Sequence, residues 1–167
     1  MKYILDGYNI TKQVETLNGK ELKYQRDWLI KMLIEDKPQG SYKNKVVVVF
    51  DGKYEVGAQK HLEYKNYNIE VLFTSHSLAD EEIKNLVRLD KNKKDIIVVS
   101  NDKDLRRYVS YYGAKVLSVQ EFLNRVKKLK QKPSSFYKYK QEISYKDIEK
   151  INKEIRKYYG IDENNKK

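Results

Sequence analysis

Four short apolar runs in this 167-residue chain each give way to an acid. Tyr3-Ile4-Leu5 stops on Asp6 and turns through Gly7, and Val46–Phe50 stops on Asp51-Gly52. Ile69–Thr74 leads to Ala79-Asp80-Glu81, and Ile96–Ser100 stops on Asn101-Asp102-Lys103-Asp104. Carboxylates crowded together repel one another, and some must take up protons unless a cation sits among them. A hard divalent ion resolves that conflict, because it takes a few carboxylates plus waters and phosphate oxygens. Two such ions ~4 Å apart can clamp the attacking and leaving oxygens of a phosphodiester. The chemistry open to these residues together is therefore phosphodiester hydrolysis with Mg²⁺ or Mn²⁺. The chain has no Cys and two His, at 61 and 76, which excludes zinc-thiolate and His-rich sites and leaves oxygen ligands.

Each acid also has a plain structural use. Asp-Gly is a common turn, which covers Asp6-Gly7 and Asp51-Gly52. Asp80 and Glu81 suit a helix N-terminus electrostatically, and Asp102 suits an N-cap with Asp104 serving the same dipole. Taken singly, the structural use is the better account each time; taken together, four acids at one sheet edge favour a site. Asn9, close to Asp6, suits a water or a phosphate. Ser100 and Asn101 could donate hydrogen bonds to a carboxylate or substrate, or form the strand-to-helix turn.

The elements that must position these residues are strands and helices in alternation. Strands are expected at residues 2–5, 45–50, 68–73, 95–99 and 114–117. Lys45–Phe50 is apolar without alternation, as a parallel strand covered on both faces requires. Helices are expected over 20–35, 78–89, 105–112 and 119–129. The second of these has Ile83, Leu86, Val87 and Leu89 as its core stripe, and the third is closed by Gly113. Residues 51–67 give no clean period. The pattern is an α/β fold with a mostly parallel central sheet and right-handed crossovers. With strand order 3-2-1-4-5 the crevice lies between strands one and four, lined by Asp6 and Asp102, with Asp51 beside Asp6 and Asp80 starting a helix on the same face. Residues 1–130 form the domain. Residues 131–167 read as a basic linker and a C-terminal helical appendage, with Ser144–Asp147 as a capping box and Ile148, Ile151 and Ile155 on one face.

The formal net charge is +11, which favours a polyanionic partner, although an A/T-rich coding sequence or heat adaptation would enrich Lys as well. Residues 1–118 carry 21 basic and 17 acidic side chains, whereas 119–167 carry 14 and 7, so the excess concentrates toward the C-terminus. Candidate phosphate contacts are Lys53, Lys103, Arg106 and Arg107, then Lys127, Lys128 and Lys130, followed by the tail lysines 132, 138 and 140. Phe136-Tyr137-Lys138-Tyr139-Lys140 alternates aromatics with cations, a pattern suited to unpaired bases or equally to a solvated linker. No run approaches the length of a membrane span, so a cytoplasmic protein with no membrane partner is expected.

With DGYN at 6–9, VVVVFDG at 46–52, VLFT at 71–74, ADEEI at 79–83 and VVSNDKDLR at 98–106, residues 1–130 resemble the NYN domains of the PIN-like nuclease superfamily. They are most similar to the YacP-like branch of ribosome-associated endoribonucleases. The resemblance implies a three-layer PIN-like fold and a metal-dependent endoribonuclease. Its acids would be Asp6, Asp80 and Asp102, with Asp51; Asn9 matches the polar residue after the first acid, and Glu81, Asp104 and Ser100 are possible additions. It implies RNA as partner, in the form of mRNA cut in association with the ribosome. The alternative is a non-catalytic RNA- or ribosome-binding module on the same fold. A phosphatase of the haloacid dehalogenase type would want Asp-x-Asp after strand one, where this chain has Asp6-Gly7-Tyr8.

Overall fold

Val46, Val47, Val48, Val49 and Phe50 are all buried, and a strand with no polar side needs a layer on each face. The computed structural model, which describes residues 1–52, 61–74 and 78–130 (without the side chains of 127–130), provides both. Successive side chains of strand β2 (Lys45–Asp51) point to opposite sides of the sheet. Val46, Val48 and Phe50 join Tyr3 and Leu5 of β1 (Lys2–Asp6), Ile69 and Val71 of β4 (Ile69–Thr74), and Ile97 and Val99 of β5 (Ile96–Val99). Helices α2 (Leu22–Asp36) and α5 (Val119–Lys130) close this core with Leu29, Leu33, Phe122 and Val126. Val47 and Val49 turn the other way with Ile4, Ile96 and Val98. There α3 (Ala79–Leu89) and α4 (Lys103–Tyr111) cover them with Ile83, Val87, Leu105 and Val109. The result is three layers.

The sheet order is β3-β4-β2-β1-β5-β6, with β6 at Lys115–Leu117. Every neighbouring pair is parallel except β3 (His61–Tyr64), which runs antiparallel outside β4. The five expected strands thus stand in the expected order, with one strand added at the edge. That strand falls in the stretch without a clean period. It is four residues long and half exposed, too short to announce itself by alternation. Its His61 Nε2 lies 2.9 Å from Glu70 Oε1 on β4, and Lys45 Nζ lies 2.6 Å from Glu70 Oε2.

Several details of the helices depart from expectation. Helix α1 (Gly7–Thr11) stands where a simple turn was expected. Helix α4 starts two residues early because Asp102 caps it. Leu89, expected in the core, is 72% exposed at the last position of α3, off the line of Ile83 and Val87. Gly113 follows α4 at φ +90° and donates its N–H to the Ser110 carbonyl, the role expected of it. The chain divides into Met1–Gln131 and Lys132–Lys167. The linker and terminal helix expected at 131–167 lie outside the described residues. Among those described, no helix is long and apolar enough to cross a membrane.

Candidate active site at the carboxyl edge of the sheet

The chain leaves β1 for β2 on one side and later returns to β5 on the other, so strand order reverses between β1 and β5. Open parallel sheets bind ligands at that point, outside the strand ends. The register Leu5↔Val99 sets Asp6 beside Ser100. Since Ile4 faces the α3–α4 layer, pleating sends Asp6 to the same side, and Asp51 follows Val49 there. The first turn of α3 brings Asp80, and the N-terminus of α4 brings Asp102.

Hydrogen bonds fix the two acids at the reversal. Asp6 is 7% exposed. Its Oδ1 accepts the Asn9 backbone N–H at 3.2 Å and its Oδ2 accepts the Ser100 hydroxyl at 3.1 Å. Ser100 Oγ in turn accepts the Asp102 N–H at 3.1 Å, while Asp102 Oδ1 caps α4 through the Leu105 N–H at 2.7 Å. Asn9 Oδ1 accepts the Asn101 N–H at 2.9 Å, and Asn101 Oδ1 accepts the Val119 N–H at the start of α5 at 3.0 Å. One polar network therefore joins β1, α1, the β5–α4 turn and α5. Gly7 permits the tight exit from β1, because a Cβ there would intrude on the buried Phe50 ring.

Burial pushes the Asp6 carboxyl up to about 6 despite the Asn9 and Ser100 hydrogen bonds, and the Asp80 charge adds to the rise. Burial also raises Asp80, followed by the charge of Asp102; Lys84 opposes, and Glu81 and Asp51 push the same way as Asp102. Asp6, Asp51, Glu81 and Asp102 thus all lie within electrostatic reach of Asp80. Asp104 does not join them: its side chain is 92% exposed and pairs with Arg107 at 3.8 Å. Lys103, Arg106 and Arg107 lie along α4, whereas Lys53, His76 and the side chains of Lys127, Lys128 and Lys130 lie outside the described residues.

Two cations near the acids were not singled out in the sequence. Lys84 Nζ sits 2.7 Å from Glu81 Oε1 and 5.5 Å from the Tyr108 ring centre, and Lys12 acts on Asp6. For Lys84 the available signal was its spacing, three residues from Glu81 and four from Asp80 on one helix face.

The donor set is all oxygen, which fits Mg²⁺ or Mn²⁺ in kind. Among the described residues no three acids converge closely enough to cage an ion. Mg²⁺ ordinarily takes one or two carboxylates and completes its shell with waters and substrate phosphates. The raised Asp6 and Asp80, each burdened by a neighbouring acid, fit such an open site.

No curated protein matches the chain significantly. Among solved structures, the crystal structure of Rae1 (YacP) from Bacillus subtilis is similar at 25% identity and TM-score 0.65, over 96% of this chain and 92% of that one. A point variant of the same Bacillus subtilis protein aligns at 24% identity and TM-score 0.60, over 96% of this chain and 84% of that one. The family model described as the YacP-like NYN domain matches residues 3–159, well past the end of the motifs at 106. With the reversal of strand order, the acid edge and nearly the whole length accounted for, this chain belongs to the YacP-like NYN domain family.

Proposed function

We propose that this protein is a divalent-metal-dependent endoribonuclease that hydrolyses phosphodiester bonds in RNA. Membership in the NYN family supports a nuclease-like, RNA-related function in broad terms. The observation that carries the finer assignment is Asp80. It is half-buried, its carboxyl is raised by burial and then by Asp102, Glu81 and Asp51, and no side-chain cap bond is made at the start of its helix. Mutual repulsion of that kind costs stability and is relieved by a cation, which is why such clusters gather at functional sites.

In this scheme Asp6, Asp80 and Asp102, with Asp51 beside them, would supply the carboxylates for Mg²⁺ or Mn²⁺, one or two to an ion, with waters and phosphate oxygens completing its shell. A bound ion supplies Lewis-acid polarisation of the phosphate and lowers the pKa of a water. Ser100 and the Asn9 N–H fix the Asp6 rotamer, and the Asn9 side chain locks α1 to the β5–α4 turn. With its carboxyl near 6, Asp6 is mostly ionised at neutral pH. Lys84 keeps an ammonium next to the acids, where an arriving phosphate would meet it. The family resemblance extends the proposal to mRNA on the ribosome, in the cytoplasm, as the target.

One observation favours a second reading, a binding module without catalysis: Asp6 and Asp102 each cap a helix and so have structural employment. Incubating the protein with RNA, free and in translating ribosomes, with and without EDTA, and mapping the cut ends separates the two. Hydrolysis requires cuts that EDTA suppresses and that Asp6→Asn loses while its circular dichroism stays native. Salt-sensitive binding with no cut under either metal would leave the binding module.

A further inference from the structure

Helix α4 carries a second surface, which runs from its capped start toward its C-terminus. Lys103, Arg106, Arg107, Ser110 and Tyr111 recur at spacings of three and four and so share one helix face. Leu105 and Val109, fully buried, take the opposite face. With Val116 of the edge strand β6, these five residues line an open groove of about 610 Å³. The groove begins at the candidate site, since Lys103 directly follows Asp102. Tyr111, eight residues along, lies about 12 Å farther down the helix axis.

Tyr111 is the telling residue. It is 86% exposed, the largest exposure of any large hydrophobic side chain among the described residues. Its ring meets Tyr112 edge-on, with centres 5.5 Å apart, and Tyr112 leans on Tyr108 at 4.9 Å. That edge contact leaves most of the Tyr111 ring open to water. Beside it Arg107 pairs with Asp104 at a loose 3.8 Å, both groups exposed, and such a pair opens at little cost.

We propose that this groove is a lane for unpaired RNA leaving the acid edge, with Tyr111 stacking on a base and Lys103, Arg106 and Arg107 meeting phosphates. The proposal rests on RNA being the ligand, as proposed above, and not on its hydrolysis. Unpaired bases expose a face for stacking, and alternating cations with an aromatic is how sequence-tolerant single-strand grooves work. A duplex hides its base faces and is read by backbone shape instead. An acidic protein segment would satisfy the cations but give Tyr111 no base to stack on.

The test uses the full chain in EDTA and reads fluorescence anisotropy of a labelled short oligouridylate, with an RNA duplex alongside. Tyr111→Ala should weaken single-strand binding about tenfold and leave the duplex unaffected, while Tyr111→Phe binds as the native protein does. Replacing both Arg106 and Arg107 by Gln should flatten the logarithmic salt slope by roughly 1.4. Unchanged binding by Tyr111→Ala overturns the lane, as does an equal loss on duplex, and so does a native protein that binds no RNA. Because no divalent ion is present, hydrolysis is judged separately. Tyr111-dependent binding without cleavage sinks only the nuclease assignment, and cleavage indifferent to Tyr111 sinks only the lane.

Discussion

Asp6 does two jobs that pull in opposite directions. It caps α1 and accepts the Ser100 hydroxyl, yet burial lifts its carboxyl to about 6, above the ordinary range. Without a divalent ion the folded state therefore binds this proton more tightly than the unfolded chain does. The Asp6 contribution is greatest in acid, declines as pH rises from about 4 to about 6, and is level beyond. Over that window it amounts to about 3 kcal/mol as an upper figure. Asp90, held low by the Asn92 N–H and then Lys2, acts in the reverse sense, so the comparison must be with Asp6→Asn. Urea denaturation at a series of pH values should show the native protein losing stability relative to Asp6→Asn across pH 4 to 6. Parallel curves would show that Asp6 is not a burdened carboxylate. Adding Mg²⁺ at pH 7 should raise the native midpoint and leave that of the variant in place.

The short helix α1 is the element on which the site's shape most depends, because it carries Asn9 and hangs from Asp6. Its first residue, Gly7, packs where a Cβ would enter the Phe50 ring, and Phe50 is fully buried with Tyr8 set edge-on against it at 4.9 Å. Overpacking of this sort costs about 1–3 kcal/mol. Gly7→Ala should lower the urea midpoint accordingly, with an unchanged m-value, and should cut activity more than stability because Asn9 moves with the helix. Such elements were only partly legible in the sequence. The five main strands and their order could be read because Val46–Phe50 has no polar side and each strand hands over to a helix period. Pairing Asp6 with Asp51 and Asp102 followed from that order. Helix α1 hid inside what looked like an Asp-Gly turn, since a single capped turn has no period to detect. β3 hid because half-exposed four-residue strands carry a weak alternation. Lys84 went unremarked because a lysine on a helix face is ordinary until the fold brings Asp102 within reach of Asp80 on the same helix.

At the scale of the whole chain, Met1–Gln131 forms one compact unit, and among the described residues its two apolar cores draw on positions from Tyr3 to Val126. We propose on that basis that Met1–Gln131 folds alone. Expressed by itself it should unfold in one transition, with circular dichroism and the fluorescence of Trp28, the single tryptophan, moving together. Separate transitions, or a loose state without near-ultraviolet signal, would place the boundary elsewhere. Its RNA binding should be less salt-dependent than that of the full chain, because residues 132–167 hold ten Lys and Arg. The helix caps bear on how descendants of such a protein would age. Asp6 and Asp102 each steady a helix start, so purifying selection for a foldable product would retain them long after activity had lapsed. Asp80 makes no such bond and sits among repelling charges, so drift would erase it first. Its persistence, and not that of the two capping aspartates, is what tells a working copy from a fossil.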